Sequence, residues 1–525
     1  MASKPDIDHV ETVEVGSETP TPAGTARLLD DGEVRLIPIP TRDPCDPLNL
    51  PMWHKITIHL TVSFFSMTGI LLVSGMGAVL PLIAASYPDV KNTADLNVYP
   101  TLFMGIGNLI AMPLSLAIGR RPVYLFSSLL LVIGSIWCAF APDFNSHLAG
   151  RDFLSLGAGQ SEGLCVMIVQ EMFYLHQRGR ALAWFSGITT VGSTALMIAS
   201  TFICTAWGWR WWYGVFGILN GVVLIFSVLF VVETKYERSP EALRGEIPSF
   251  SRSDGLKGKD NDLTRVTTRH LPTLDDVNYS PRSFISDLKP WQGHSEWSAA
   301  LICYKHMVQI ALFPHILWLI LCCGAFLGVY VLYASVFSGI LTSVPYNFSF
   351  EVVGAVMAGQ IIVCFVFIPV IGYGTDHLTK YLSKRNGGIV EAEYRLLPLI
   401  IPWLVTIASC VIFGRAAADP FHWHWAAVVI TYNSEYIGFM SIVLSSFTYA
   451  IEAHPTRVGP SVVVLCAMRG FISWGLSWGS LRFVQSQGYE GAFNICAIVL
   501  GILGVVGIPI YFFGKKLRII TQRWT

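Results

Sequence analysis

Residues 315–337 read HILWLILCCGAFLGVYVLYASVF, a run of 23 residues without Asp, Glu, Lys or Arg. An α-helix rises ~1.5 Å per residue, so about 20 apolar residues cross the ~30 Å hydrocarbon core of a bilayer. Eleven further apolar runs of similar length lie at 57–80, 98–118, 123–141, 149–171, 182–204, 212–232, 352–373, 397–414, 424–446, 461–481 and 492–513. The sequence therefore predicts twelve transmembrane helices, six on each side of a polar segment.

The composition is typical of a protein embedded in lipid. Of the 525 residues, 53% are hydrophobic and 13% are charged, against about 25% charged in soluble domains, and the mean hydropathy is +0.54. Half of the charged side chains lie in residues 1–52 and 233–296. These values exclude a soluble multidomain enzyme, and zero net charge without a basic block excludes a nucleic-acid partner. We predict an all-α polytopic membrane protein surrounded by the lipid bilayer.

The same pattern divides the chain into five segments. We expect a disordered cytosolic N-terminal tail at 1–52, a six-helix half at 53–232, a cytosolic linker at 233–311, a second six-helix half at 312–513 and a cytosolic C-terminal tail at 514–525. The linker includes charged runs such as Lys257-Gly258-Lys259-Asp260, which cannot bury enough apolar area to fold. Residues 297–306 are more apolar and indicate a helix at the inner membrane surface.

Basic residues predict the orientation of the chain. Thirteen Lys and Arg lie in the loops and tail on the side of both termini, and four lie in the opposite loops. By the positive-inside bias, we expect both termini in the cytosol. The sequon Asn347-Phe348-Ser349 then lies outside and is a candidate for glycosylation, whereas Asn278-Tyr279-Ser280 lies inside and is not.

The sequence predicts neither a metal site nor a nucleotide site. Its eleven cysteines include no CxxC pair and no Cys/His cluster, which favours small buried thiols. No GxxxxGK[ST] loop is present, so ATP is not the expected energy source. The stretch 159–163 fits the GxSxG pattern of serine hydrolases, but that motif needs a strand-to-helix turn and this copy lies inside a predicted helix. We expect no enzymatic activity.

Two charged side chains are predicted at membrane depth in the first half. Arg151 and Glu162 are eleven residues apart in the fourth span, which on a continuous helix places them about 20° apart on one face and ~16 Å apart in depth. A charge facing lipid costs on the order of 2.5 kcal/mol or more, so both should face a wet cavity or partners. We predict that Glu162 binds a proton or a cationic substrate, and the alternative is a permanently satisfied structural carboxylate.

The second half contains a comparable cluster. The tenth span is interrupted by six consecutive residues whose side chains form hydrogen bonds or carry charge, Thr431-Tyr432-Asn433-Ser434-Glu435-Tyr436. Such side chains are costly in hydrocarbon unless they line a cavity. Arg469 in the eleventh span lies close in depth to Glu435, and we expect an ion pair between them. A structural pair and a substrate site are both compatible with this pattern.

Four motifs occur in order along the chain. Asp46-Pro47-Leu48-Asn49 precedes the first span, Gly119-Arg120-Arg121 forms the turn after the second, Glu233-Thr234 closes the sixth, and Asn386-Gly387-Gly388 follows the eighth. This combination resembles the major facilitator superfamily, specifically its fungal-type twelve-helix drug:proton antiporter branch, over about residues 40–520.

The resemblance implies roles for particular residues. Arg151 begins a segment similar to the family motif whose arginine takes part in proton coupling, and Glu162 matches a glutamate common in the branch. The turn at Gly119, Arg120 and Arg121, with Glu171 and Asp376, is expected to act as a conformational latch. Aromatic side chains on the seventh and tenth spans, which line the pathway in this superfamily, are expected to form an apolar pocket with cation–π contacts: Tyr330, Tyr333, Phe337, Tyr432 and Tyr436.

The resemblance also implies a function. We expect a secondary active transporter of the plasma membrane, a functional monomer whose two halves alternate access to a midplane site for a small-molecule substrate. The proton gradient is the expected energy source, with no cofactor, and export of a drug or secondary metabolite is the expected direction. Proton-coupled uptake of a polyamine or other cationic nutrient is the alternative, and a non-transporting nutrient sensor is a third hypothesis.

Overall fold

The computed structural model describes residues 29–30, 33–34, 38–90, 92–236, 283, 287–289, 291, 295–385, 391–454, 457–478 and 480–522. Within these ranges, eleven helices are long and apolar enough to cross a membrane. The described chain is helical, as predicted, apart from a short antiparallel ladder in which Leu29–Asp30 pairs with Glu33–Val34 and Leu29 lies opposite Val34. The sequon at Asn278, the Lys257 run and the Asn386-Gly387-Gly388 motif lie outside the described residues.

The first half contains five continuous membrane helices. Span 1 is Met52–Ser74, span 2 is Asp95–Ile118, span 3 is Arg120–Ala139, span 5 is Leu175–Trp207 and span 6 is Trp209–Phe230. Two short helical pieces, Gly77–Val79 and Leu80–Ala84, follow span 1.

The predicted helix at 149–171 is broken, and its pieces together are called span 4. Helix Phe144–Ala158 runs into a 3-10 turn at Gly159–Ser161, and a second helix, Leu164–Met172, follows. Glycines at 157, 159 and 163 lower the helix propensity of this stretch. The two helices are 15 and 9 residues long, so neither alone reaches the length of a membrane crossing. This break explains why eleven continuous helices appear where twelve spans were predicted.

The second half contains the other six spans. Span 7 is Pro314–Thr342, span 10 is Trp425–Ala453, span 11 is Val458–Ser477 and span 12 is Ser480–Gln522, which changes direction at Gly488. Span 9 begins as a 3-10 segment, Ala392–Leu399, and continues as Ile400–Ala418. Span 8 is irregular: Phe350–Val356 and Ala358–Ile362 are followed by a π-helical segment, Val363–Phe367, and then by Ile368–Arg385.

Part of the predicted N-terminal tail is folded. Pro47–Asn49 forms a 3-10 turn capped by Asp46, whose buried carboxylate accepts hydrogen bonds from the amides of Thr41 and Leu48 at 3.0 and 2.9 Å. Thr41 also bonds the hydroxyl of Tyr236, just after span 6, at 3.0 Å. Burial raises the pKa of Tyr236 to about 12. Lys55 of span 1 donates to the carbonyl of Leu48 at 2.8 Å, so this turn lies against the first half. The capping carboxylate thus orders a stretch that its composition marked as disordered.

The two halves meet through spans 2 and 11 and through spans 5 and 8. A Cβ added at Gly105 of span 2 would lie 2.8 Å from the carbonyl oxygen of Ala467, and one at Gly470 of span 11 would lie 2.7 Å from that of Thr101. Small residues here let the two helix backbones approach closely. On the side opposite to the termini, Gly77 lies against Ala334 of span 7. The halves are therefore closed together on that side.

One further helix lies across both halves on the side of the termini. Trp297–Ala311 lies in the predicted linker, where the sequence indicated a helix over 297–306. Its buried residues pack on spans 2 and 11: Ala300, Cys303, Met307 and Ile310. At its ends, the amide of Glu296 donates to Ala117 of span 2 at 3.1 Å, and Arg457 donates to its Gln309 at 3.0 Å. The last part of the linker is thus ordered against both halves.

Candidate functional site

A cavity of about 180 Å³ lies between span 4 and the start of span 11 on the side of the termini. Spans 2 and 4 form one wall and the start of span 11 forms the other. Lining residues include Met112, Gly163, Met167, Glu171 and Gly459. The halves contact each other on the opposite side, so this cavity between them lies on the side of the termini.

The charge pair between Glu162 and Arg469 lies beside this cavity. Glu162 follows the 3-10 turn of span 4 directly and precedes Gly163, which lines the cavity. Arg469 of span 11 donates a hydrogen bond from Nη2 to Oε2 of Glu162. The side chains are 5% exposed for Arg469 and 23% exposed for Glu162, so the pair is largely desolvated while the carboxylate keeps some contact with water. This pair joins the two halves of the protein.

The predicted pair between Arg469 and Glu435 is wrong. Arg469 lies on the face of span 11 that meets the first half, and its guanidinium also lies 6.0 Å from the ring centroid of Phe439. Glu435 instead turns into the second half, close to Tyr333 of span 7 and Cys410 of span 9. Its carboxyl is fully buried, and neither oxygen has a hydrogen-bond partner among the described residues. An ionised carboxylate in such surroundings costs several kcal/mol.

Arg151 is fully buried and forms its hydrogen bonds within the first half. It donates to the carbonyls of Leu96 in span 2 and Val73 in span 1 at 2.7 and 2.8 Å, and to the hydroxyl of Tyr213 in span 6 at 2.9 Å. These bonds tie span 4 to three neighbouring helices. The estimate that Arg151 and Glu162 share one helix face assumed a continuous helix, and the 3-10 turn between them breaks that geometry. A part in proton coupling for Arg151 stays a prediction.

The turn at Gly119 is held by a network of charged side chains within the first half. Gly119 has φ +113°, a conformation that favours glycine. The carboxylate of Glu233 accepts the amides of Arg120 and Arg121 at 2.9 and 3.2 Å, which caps the start of span 3. The guanidinium of Arg120 also contacts Glu171 of span 4 at 2.8 Å. The capping role of Glu233 was missed from sequence, although its position beside the end of a span was a usable signal.

The structure describes the side chain of Arg121, another residue of the predicted latch, but not that of Asp376. Arg121 is buried and donates to the carbonyls of Val228 at 2.8 Å and Lys289 at 3.1 Å, so it ties span 3 to span 6 and to the linker. Asp376 lies within the last helix of span 8, and its side chain is outside the described part of the structure. A latch function for this set of residues stays a prediction.

The predicted aromatic residues come together in the second half. Tyr330 stacks on Phe439 with 5.5 Å between ring centroids and lies 6.3 and 5.7 Å from Tyr432 and Tyr436, and Phe337 stacks on Tyr432 at 4.3 Å. Phe439 was not predicted, although it lies three residues after Tyr436 and therefore on a neighbouring part of the helix face.

Tyr333 packs against a different set of rings from the other four predicted aromatic residues. Its ring centroid lies 4.3 Å from that of Phe413 in span 9 and 4.8 Å from that of Phe493 in span 12. These contacts place Tyr333 in the packing of the second half. A role in a substrate pocket stays a prediction for all five aromatic residues.

The candidate glycosylation site is accessible. Asn347 is exposed in the loop after span 7, on the side opposite to the termini. Its backbone adopts φ +49°, a left-handed conformation that Asn tolerates better than most residues. Modification of Asn347 stays a prediction.

The fold and site together define a polytopic membrane transporter built from two helical halves around a cavity. The profile of the Major Facilitator Superfamily matches residues 60–480. The chain belongs to this superfamily, and its function is therefore that of a membrane transporter, a class of protein distinct from enzymes.

Relatives and solved structures agree with this assignment. The chain is 25% identical to an uncharacterized MFS-type transporter of Schizosaccharomyces pombe, covering 95% of this chain and 90% of the relative. It is 22% identical to the efflux pump radE of Floropilus chiversii, covering 96% and 89%. A structure of the xylose transporter XylE from E. coli in a partially occluded inward open conformation superposes with a TM-score of 0.56 at 12% identity, covering 88% of this chain and 98% of that one. This last likeness concerns the fold.

Proposed function

We propose that the protein is a proton-coupled efflux pump for a small organic compound, either a drug or a secondary metabolite. The observation that carries this proposal is the pair formed across the two halves by Glu162 and Arg469 at the break in span 4. Discontinuous helices near the midplane are where secondary transporters bind substrates and coupling ions. The sequence similarity to a relative named as an efflux pump supports export as the direction.

The charge pair provides a simple means of coupling. When Glu162 is ionised, it attracts Arg469 and holds span 4 against span 11. When Glu162 takes up a proton, the carboxyl becomes neutral and the attraction is lost, so the halves are free to rock. Since Glu162 keeps 23% of its side chain exposed beside the cavity, a proton from the aqueous side can reach it in this conformation.

A cationic or hydrogen-bonding substrate competes for the same groups. A positive charge near Glu162 displaces both the proton and Arg469, so proton and substrate bind in turn, which is the requirement for exchange. Tyr330, Tyr432 and Tyr436 offer stacking and cation–π surfaces in the second half for the apolar part of such a molecule. No cofactor is needed, because the proton gradient supplies the energy.

The same carboxylate would suit proton-coupled uptake of a polyamine or another cationic nutrient, which is the second candidate function. The two functions differ in the direction of flux under one imposed pH gradient, and a sensor would bind without flux. We place the protein in the plasma membrane with both termini in the cytosol, acting as a monomer.

The test is transport by purified protein in liposomes with an imposed pH gradient. Candidate compounds are first found by comparing the accumulation of a labelled panel in cells with and without the protein. Glu162→Gln should abolish flux driven by the gradient while the protein still reaches the membrane. The matched control is Glu351→Gln, which removes an exposed carboxylate at the start of span 8 and should leave flux unchanged. Normal gradient-driven flux in Glu162→Gln would refute the proposal.

A further inference from the structure

A groove runs along the lipid-facing surface between spans 7 and 12, at their ends on the side of the termini. Its walls are almost wholly apolar and its volume is about 450 Å³. The first turns of span 7 form one wall and the second half of span 12 forms the other. The side chains that matter below are Pro314, Leu321, Leu503, Val506 and Phe513.

The groove is a fixed part of the packing. Trp318 of span 7, which lines it, donates from its indole Nε1 to the carbonyl of Leu503 at 2.9 Å. The same indole lies parallel to that of Trp403 in span 9, with an interplanar angle of 2° and 6.3 Å between centroids. A Cβ added at Gly507 would lie 2.6 Å from Cζ2 of Trp318, so span 12 can approach only because glycine stands there. These contacts set the spacing between spans 7 and 12 that leaves the groove open.

The length of the groove matches one leaflet of the bilayer. The lining on span 12 runs from Leu503 to Leu517, fourteen residues or ~21 Å along the helix, which is about half of a bilayer of ~40–45 Å that includes the headgroup regions. On span 7, Pro314 is the first helical residue, and Leu321 lies ~10 Å deeper. A single acyl chain from the leaflet on the side of the termini therefore fits along the groove.

A positive charge lies at the shallow end of the groove. The ammonium of Lys516 lies 5.9 Å from the ring centroid of Phe513, which lines the groove. Its neighbours Lys515 and Arg518 are paired with Glu391 and Glu393 at 2.7 and 2.6 Å. Lys516 is exposed and lies where the chain passes from apolar to polar residues, the depth of the lipid headgroups.

We propose that this groove binds one acyl chain of an anionic phospholipid, with the lipid phosphate beside Lys516. A basic residue near the membrane surface attracts anionic lipid, and the groove adds a rigid apolar site for the chain. The bound lipid would bridge spans 7 and 12 and so stabilise the second half. This site is separate from the cavity between the halves and does not depend on the proposed function.

The test measures lipid retained by the full-length protein. The protein is reconstituted in nanodiscs of equal phosphatidylglycerol and phosphatidylcholine, extracted into mild detergent, and examined by native mass spectrometry. We expect the wild type to retain phosphatidylglycerol preferentially. Val506→Trp, which fills the groove, should lose the retained lipid. Val505→Trp is the matched control, because Val505 is 65% exposed on the same helix but does not line the groove.

The headgroup contact is tested by a surface change that leaves the groove intact. Lys516→Gln should lower the preference for phosphatidylglycerol roughly fivefold, as expected for one basic residue near the surface. Lys384→Gln removes an exposed lysine on the same side of the membrane, at the end of span 8, and should not change the preference. Equal retention by the Val506→Trp and Val505→Trp proteins would overturn the proposed chain site. An unchanged preference in Lys516→Gln would overturn the proposed headgroup contact.

Discussion

Removing one charge of the pair between Glu162 and Arg469 should destabilise the folded protein strongly. Loss of one partner of a buried pair costs about 3–5 kcal/mol. Glu162→Gln leaves Arg469, which is 5% exposed, without a carboxylate. Because the glutamine amide oxygen can still accept a hydrogen bond from the guanidinium, we expect a cost near the lower limit, about 3 kcal/mol. Arg469→Gln leaves Glu162, which is 23% exposed and better hydrated, and we expect about 2 kcal/mol. For a unit the size of one half, each kcal/mol lowers the melting temperature by roughly 2–4 °C.

The assay is a double-mutant cycle on thermal unfolding, followed by intrinsic tryptophan fluorescence in detergent. The double variant should lose less than the two single variants added together, with a coupling energy of about 1–3 kcal/mol. The pair between Lys515 and Glu391, with side chains 59% and 21% exposed, is the matched control and should couple by less than about 1 kcal/mol. A coupling energy for Glu162 and Arg469 within ~0.5 kcal/mol of zero would mean that their contact carries no energy.

Four further predictions concern other parts of the molecule. Gly134→Ala should lower the free energy of unfolding by about 1–3 kcal/mol, because the new Cβ would lie 2.6 Å from that of Leu154. Gly187→Ala, with open space around it, should be neutral or stabilising by up to ~1 kcal/mol. Equal melting temperatures of the two variants would contradict this. Glu435→Gln should not lower the melting temperature, since the buried carboxyl has no partner among the described residues and the amide of Gln has nearly the same size. A fall as large as that of Glu162→Gln would count against this. Expression in a glycosylating host should give a glycosidase-sensitive gel shift that Asn347→Gln removes, and its absence would leave the predicted site unmodified. Burial, Arg518 and Arg457 lower the pKa of His454 to about 4 from 6.5. The unfolded chain therefore binds a proton first, and the stability of the folded protein should fall as pH drops from about 6.5 toward about 4. Melting temperatures of His454→Gln should depend less on pH than those of the wild type, and an unchanged pH dependence would refute this.

The sequence predicted the helices because the property that places them is local. Twenty apolar residues cross a bilayer whatever surrounds them, so every predicted run contains helix in the structure. The break in span 4 was missed because residues 149–171 were read as one apolar run, although Gly159-Gln160-Ser161-Glu162-Gly163 is polar and its glycines lower the helix propensity. Three glycines within seven residues were the available signal.

The partner of Arg469 could not be predicted in the same way. Hydropathy gives the depth of a residue in the membrane, and Glu162 and Glu435 both lie at suitable depth. Which of them meets Arg469 depends on the rotation of spans 4, 10 and 11 and on how the halves pack, and Glu162 and Arg469 are 307 residues apart in sequence. The charges worth testing were identified from sequence, while their pairing required the assembled fold.

The folded part of the N-terminal tail also could not be predicted from local composition. Acidic composition indicated disorder up to residue 52, yet Asp46 is buried and bonded. The Asp46 carboxylate accepts from the amide and hydroxyl of Thr41 and from the amide of Leu48. These three bonds outweigh the effect of the average composition, because each charge-assisted bond contributes about 1.5–3 kcal/mol.

Helix Trp297–Ala311 adds a connection between the two halves to their direct packing and to the pair of Glu162 and Arg469. It is 15 residues long, or ~22 Å, and its ends are bonded to opposite halves, at Ala117 and at Arg457. Any widening between the inner ends of spans 2 and 11 must therefore break one end contact or carry the helix along with one half. A single hydrogen bond contributes only about 0.5–1.5 kcal/mol, whereas the buried face of the helix packs on both spans. The helix therefore resists small openings mainly through its buried apolar contacts, and the end bonds add little.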